Sequence, residues 1–119
     1  MTACTQYPLA EEMAGVFKAL GDINRLRIVH CLANDASGTL GVGDLARLLG
    51  ISQPAVSQHI RTLKSVQIVE ARKKGNHVYF SFNREAMSRY RDQFMVLYQC
   101  MMEKCDQENG KRAKREESA

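Results

Sequence analysis

Gln53, Ser57, Gln58 and Arg61 fall on one side of a helix drawn through residues 53–64, away from Val56, Ile60 and Leu63. They are short or flat hydrogen-bonding side chains with one cation among them. Such a set suits base edges in a DNA major groove. Glutamine can pair with adenine in bidentate fashion, arginine with guanine, and serine with either. A helix is about 10–12 Å across and fits a groove about 12 Å wide. Around these readers stand groups suited to phosphate: Lys64, Arg72, Lys73 and Lys74, with His59 and His77 able to join them. No nucleophile beside a base and no carboxylate pair has a recognisable catalytic setting, so no enzymatic activity is expected.

The charge distribution points the same way. The chain has 119 residues, 17 basic and 13 acidic, for a net charge of +4. Residues 52–82 hold Arg61, Lys64, Arg72, Lys73 and Lys74 against Glu70 alone, so the whole excess falls in that stretch. A basic stripe of this kind is the electrostatic footprint of a phosphate-binding surface. The length is that of one domain, and 45% apolar residues suffice for a core. No apolar run of about 18 residues exists, and residues 1–8 lack the basic and apolar regions of a secretory signal. No membrane partner and a cytoplasmic location are therefore expected, where the four cysteines stay reduced. Their positions match no zinc ribbon or finger.

The elements that must position these groups follow in order. Residues 9–20 place Leu9, Met13, Val16, Phe17 and Leu20 at helical spacing, and Gly21 stops them. Asp22 is a good N-cap for a second helix over residues 23–33. Turn residues occupy 34–38, a very short strand is expected at 39–42, and a short helix over 44–49 ends at Gly50. Ser52 caps the reading helix, 53–64, with Pro54 tolerated in its first turn. Strands at 67–72 and 77–82 flank the turn Lys73-Lys74-Gly75-Asn76. A last helix over 84–105 sets Met87, Tyr90, Phe94, Leu97, Tyr98, Met101 and Cys105 within an arc of about 100°. Residues 1–8 are expected as a flexible arm and 106–119 as a disordered charged tail, leaving 9–105 as the domain.

The expected fold is mainly α with a small β-hairpin wing, a winged helix-turn-helix. Apolar stripes on the first and last helices exceed what one small domain needs. Pairing across a two-fold axis would bury them, with Met13, Phe17, Tyr90, Phe94, Leu97, Tyr98 and Met101 as the dimer contacts. Operator DNA is the expected partner. A winged-helix module for protein interaction, with a merely solvated polar face, stays open as a second reading.

The run Phe17-Lys18-Ala19-Leu20-Gly21-Asp22-Ile23-Asn24-Arg25-Leu26-Arg27-Ile28 resembles the start of the ArsR/SmtB family of bacterial and archaeal repressors. So do Asp44-Leu45-Ala46, the run Ser52-Gln53-Pro54-Ala55-Val56-Ser57-Gln58-His59-Ile60, and a wing ending in Val78-Tyr79-Phe80. The resemblance covers roughly residues 13–100. It implies a homodimer paired through its first and last helices. It also implies repression of an operon from a pseudo-palindromic operator, with release when an effector binds.

The metal-sensing members carry Cys-x-Cys ahead of the third helix, where this chain reads Leu40-Gly41-Val42-Gly43-Asp44-Leu45. Others bind metal across the last helices through Asp, His and Glu, yet no histidine follows His77 here. No cofactor is expected to be required, and the effector is expected to be thiol-directed. As(III) or Sb(III) is favoured, held by Cys100 and Cys105 with Cys4 supplied by the N-terminal arm. A redox or persulfide response through Cys31 and Cys100 stays open, although the family's second-helix thiol aligns with His30. So does a repressor with no metal effector.

Overall fold

The computed structural model describes the backbone of residues 7–118 and the side chains of residues 8–103. Five helices and one hairpin follow in the order α1 (Tyr7–Leu20), α2 (Ile23–Ala33), α3 (Val42–Leu49), α4 (Gln53–Ser65), β1 (Val69–Lys74), β2 (His77–Phe82) and α5 (Arg84–Ser118). This is the winged helix-turn-helix expected from the sequence.

The helix starts are set by side chains that satisfy orphan backbone amides. The Asp22 carboxylate accepts from the backbone N–H of Asn24 at 2.8 Å and of Arg25 at 3.2 Å. Asp44 reaches back to the N–H of Gly41 at 2.9 Å, and Ser52 accepts from Ala55 at 3.2 Å. Gly50 ends α3 with a φ of +69°, the left-handed conformation that lets the chain turn sharply into α4. The amides of Gly50 and Ile51 both return to the Ala46 carbonyl, which makes that turn rigid.

One core joins all the elements. Met13 and Val16 from α1, Ile28 and Leu32 from α2, Leu45 and Leu49 from α3, and Val56, Ile60 and Leu63 from α4 are buried together. Ile68, Val69, Phe80, Ala86 and Tyr90 close it from the hairpin and α5. The Tyr90 hydroxyl donates to the Val66 carbonyl at 2.7 Å, pinning α5 to the end of α4.

Four expectations change. No strand forms at 39–42: the Asp44 cap starts α3 at Val42, and Leu40 keeps only one strand-like bond, accepting from the Phe80 amide at 2.9 Å. The first wing strand begins at Val69 rather than 67, because Gln67 takes a φ of +64° in leaving α4. Lys73 and Lys74 then belong to the ladder, opposite Val78 and His77, and Gly75-Asn76 alone makes the turn. Gly75 has the positive φ, +64°, that the first position of a two-residue hairpin loop requires. At the C-terminus, α5 continues to Ser118 where a disordered tail was expected from 106. The composition of that tail lacks apolar residues to bury, but it is rich in Glu, Lys, Arg and Gln, all good helix formers. At the other end α1 already includes Tyr7, inside the expected arm, and residues 1–6 lie outside the described structure.

Candidate nucleic-acid interface

Helix α4 buries Val56, Ile60 and Leu63 and leaves Gln53, Ser57, Gln58, Arg61 and Lys64 exposed. At about 100° per residue these five span roughly 140° of the helix surface. Gln53 lies over the start of α3, its Nε2 placed 3.6 Å from where a Cβ on Gly43 would stand. That is ordinary van der Waals distance, so a small side chain at position 43 would touch Gln53 without displacing it.

The wing stands beside that face, and its pleat divides the basic residues. Side chains alternate along a strand, so Ala71, Lys73, Val78 and Phe80 share one face, and Arg72, Lys74, His77 and Tyr79 the other. The first face turns to α4. Between them runs a groove of about 370 Å³, floored by Ile60, Ala71, Val78 and Phe80 and edged by Ser57, Arg61 and Lys64. Lys73 thus lies on the wing face that turns to α4. On the second face the His77 and Tyr79 rings stack, 6.1 Å between centroids and 22° between planes. Ion pairs among the described residues are Arg47–Asp44 at 2.6 Å and Arg91–Asp92 at 3.0 Å. Neither engages the cations of α4 or the wing, which remain available to phosphate.

His59 departs from its expected place beside phosphate. It lies about 100° beyond Gln58, on the flank where α4 meets α2, half-buried with Nδ1 3.3 Å from Arg25 Nη1. Arg25 is the residue that sequence reasoning missed: this contact links positions 34 apart, and no local pattern signals it. Close by, the Asp22 carboxyl is held below its ordinary pKa, chiefly by the backbone N–H of Arg25.

The expected dimer residues divide into three groups. Phe17, Tyr98 and Met101 are 47%, 42% and 46% exposed and form an unpaired apolar surface on α1 and α5. Phe17 meets Phe94 edge-on at 5.5 Å, and Phe94 meets Tyr98 at 6.1 Å. Phe94 and Leu97 are half-buried against the core. Met13 and Tyr90, by contrast, are interior residues of the protomer. Their place on the apolar arc is real, but their own chain already fills the space a partner would take.

Of the thiols, Cys31 is half-buried on α2 and Cys100 is buried on α5. Cys4 lies outside the described residues, and Cys105 is described in its helical backbone alone. Among the described residues no group of three or more His, Cys, Asp or Glu side chains gathers as a metal site.

Residues 22–71 match the model of bacterial regulatory proteins of the arsR family. The chain is 35% identical to the transcriptional repressor SdpR of Bacillus subtilis, over 60% of this chain and 76% of that protein. It is 39% identical to the transcriptional repressor SmtB homolog of Synechocystis, over 70% of this chain and 61% of that protein. The chain thus spans about three fifths of the latter's length. Among solved structures, the homodimeric winged helix-turn-helix DNA-binding domain of Mb0332 from Mycobacterium bovis superposes with a TM-score of 0.61 at 27% identity. That match covers 81% of this chain and 87% of the other.

Proposed function

The chain belongs to the ArsR family of bacterial regulatory proteins, a family of DNA-binding regulators rather than enzymes, and from that membership we propose that it is a homodimeric repressor that reads a pseudo-palindromic operator. The observation that carries this reading is one continuous surface. Gln53, Ser57, Gln58 and Arg61 stand exposed on α4, Lys64 edges the adjoining groove, Lys73 lies on the wing face that turns to α4, and among the described residues no ion pair engages these cations. Arg72, Lys74 and His77 continue the positive surface around the wing. Each phosphate neutralised releases counterions, so log K for a random duplex is expected to fall linearly with log salt, by about 0.9 per contact. Fluorescence anisotropy across a salt series measures this. A chain with no salt-dependent affinity for duplex DNA would be the protein-interaction module instead.

The release signal in this proposal is thiol-directed, with As(III) or Sb(III) as the favoured species. Trivalent arsenic takes soft thiolate ligands. Cys100 sits on α5, one of the two helices that carry the unpaired apolar surface, so a ligand drawn to it would disturb the pairing of protomers. Cys31 faces an open apolar cavity of about 580 Å³ beside Leu26 and His30, which supports the second reading, oxidation or persulfidation through Cys31 and Cys100. Single Cys→Ser changes at positions 4, 31, 100 and 105 separate the two in an operator-release assay. Loss of arsenite-triggered release on changing Cys4, Cys100 or Cys105 supports the arsenical. Loss confined to Cys31 and Cys100 supports the redox or persulfide response. Release retained by all four variants, or a wild type indifferent to arsenite and oxidant, overturns the thiol signal.

A further inference from the structure

Arg25 takes no part in the exposed reading face, yet its guanidinium spans three elements. From α2, Nε donates to the Ala19 carbonyl and Nη2 to the Lys18 carbonyl, the latter at 3.3 Å. These are carbonyls at the C-terminal end of α1, beyond the regular helical ladder, where the Lys18 carbonyl also accepts from the Gly21 amide at 3.3 Å. Nη1 stands 3.3 Å from Nδ1 of His59 on α4. A guanidinium only donates, so the hydrogen bond here is one in which Nδ1 of His59 accepts and the ring proton sits on Nε2. Asp22 packs into the same cluster, tied to the backbone of Asn24 and Arg25.

The position of His59 around α4 gives this contact leverage. The readers occupy one flank of the buried stripe and His59 the other, so a bond at His59 resists rotation of α4 about its own axis. A rotation of about 10° displaces a side-chain tip about 6 Å from the axis by about 1 Å. That is enough to spoil a bidentate hydrogen bond to a base edge, whereas a flexible lysine can still follow a phosphate.

We propose that Arg25 is a positioning residue for base reading: by clamping the end of α1 to the His59 flank of α4, it fixes the rotation of the reading helix. The proposal rests on the DNA-reading assignment above. It also gives α1, one of the two helices of the unpaired apolar surface, a direct mechanical connection to the readers.

The test uses a duplex selected by the wild-type full-length chain from a random pool, with a random duplex as the control. Lysine at position 25 keeps the charge but has one ammonium and cannot bridge two carbonyls and an imidazole at once. Arg25→Lys is expected to weaken the selected duplex about tenfold and leave the random duplex unchanged. His59→Ala should lose as much, and the double variant no more than either single one. His59→Gln retains an acceptor for Arg25 and should restore most of the selectivity. The imidazole ¹⁵N resonance of His59 in the free protein should shift in Arg25→Lys, reporting the lost donor. Equal losses on both duplexes, additive losses in the double variant, or an unchanged ratio in a variant whose His59 resonance has moved would each overturn the proposal. A wild type that selects no duplex overturns the DNA-reading assignment and this proposal with it, while the shift of the His59 resonance in Arg25→Lys would persist.

Discussion

Tyr98→Glu is expected to leave a folded monomer whose affinity for the operator is at least about a hundredfold lower. Tyr98 is 42% exposed in the protomer and touches Phe94, which in turn touches Phe17. The substitution therefore costs the protomer little. Across a two-fold axis, however, the introduced carboxylate appears twice in an apolar contact beside Phe94 and Phe17. Burying an unpaired charge there costs several kcal/mol, about as much as a small interface supplies. Loss of the dimer removes the second half-site contact, which the first makes nearly intramolecular. Leu97 is a poorer probe because it also packs on the core, and Met13 and Tyr90 would report on the fold alone. Light scattering and circular dichroism measure mass and fold together. A Tyr98→Glu chain that stays dimeric would show that α1 and α5 do not form the interface.

Arg61→Ala and Lys74→Ala are expected to fail in different ways. Arg61 stands in the middle of the exposed face of α4, where its planar fork can meet guanine. Its removal should cost about 1–3 kcal/mol on the preferred sequence and relax the choice of base at one position. Lys74 lies on the wing face turned away from α4, paired across the ladder with His77. Its removal should weaken all duplexes alike and reduce the salt slope by about one unit. Anisotropy on preferred and random duplexes over a salt series separates the two. Arg61→Ala losing equally on both duplexes would move Arg61 from base reading to phosphate contact.

The sequence carried much of this because the decisive signals are local. Asp22 and Ser52 announce helix starts, Gly50 the turn between α3 and α4, and the spacing of Val56, Ile60 and Leu63 tells which side of α4 faces inward. What it did not carry depends on tertiary contact or on single backbone angles. The positive φ at Gln67 delays the first wing strand and brings Lys73 and Lys74 into the ladder, on opposite faces. Whether an apolar residue of α1 or α5 serves the core or a partner depends on what packs over it, so Met13 and Phe17 look alike in sequence and differ in the fold. His59 reads as one more polar residue on α4 until Arg25 comes within reach of it.

Selection of duplexes from a random pool by the wild-type chain tests the central claim most directly. The two reading helices of the dimer should lie about 34 Å apart, so the enriched sequences should form a pseudo-palindrome with half-sites about one helical turn apart, bound by two chains. No enrichment over the starting pool, or a single half-site bound by one chain, would contradict the account.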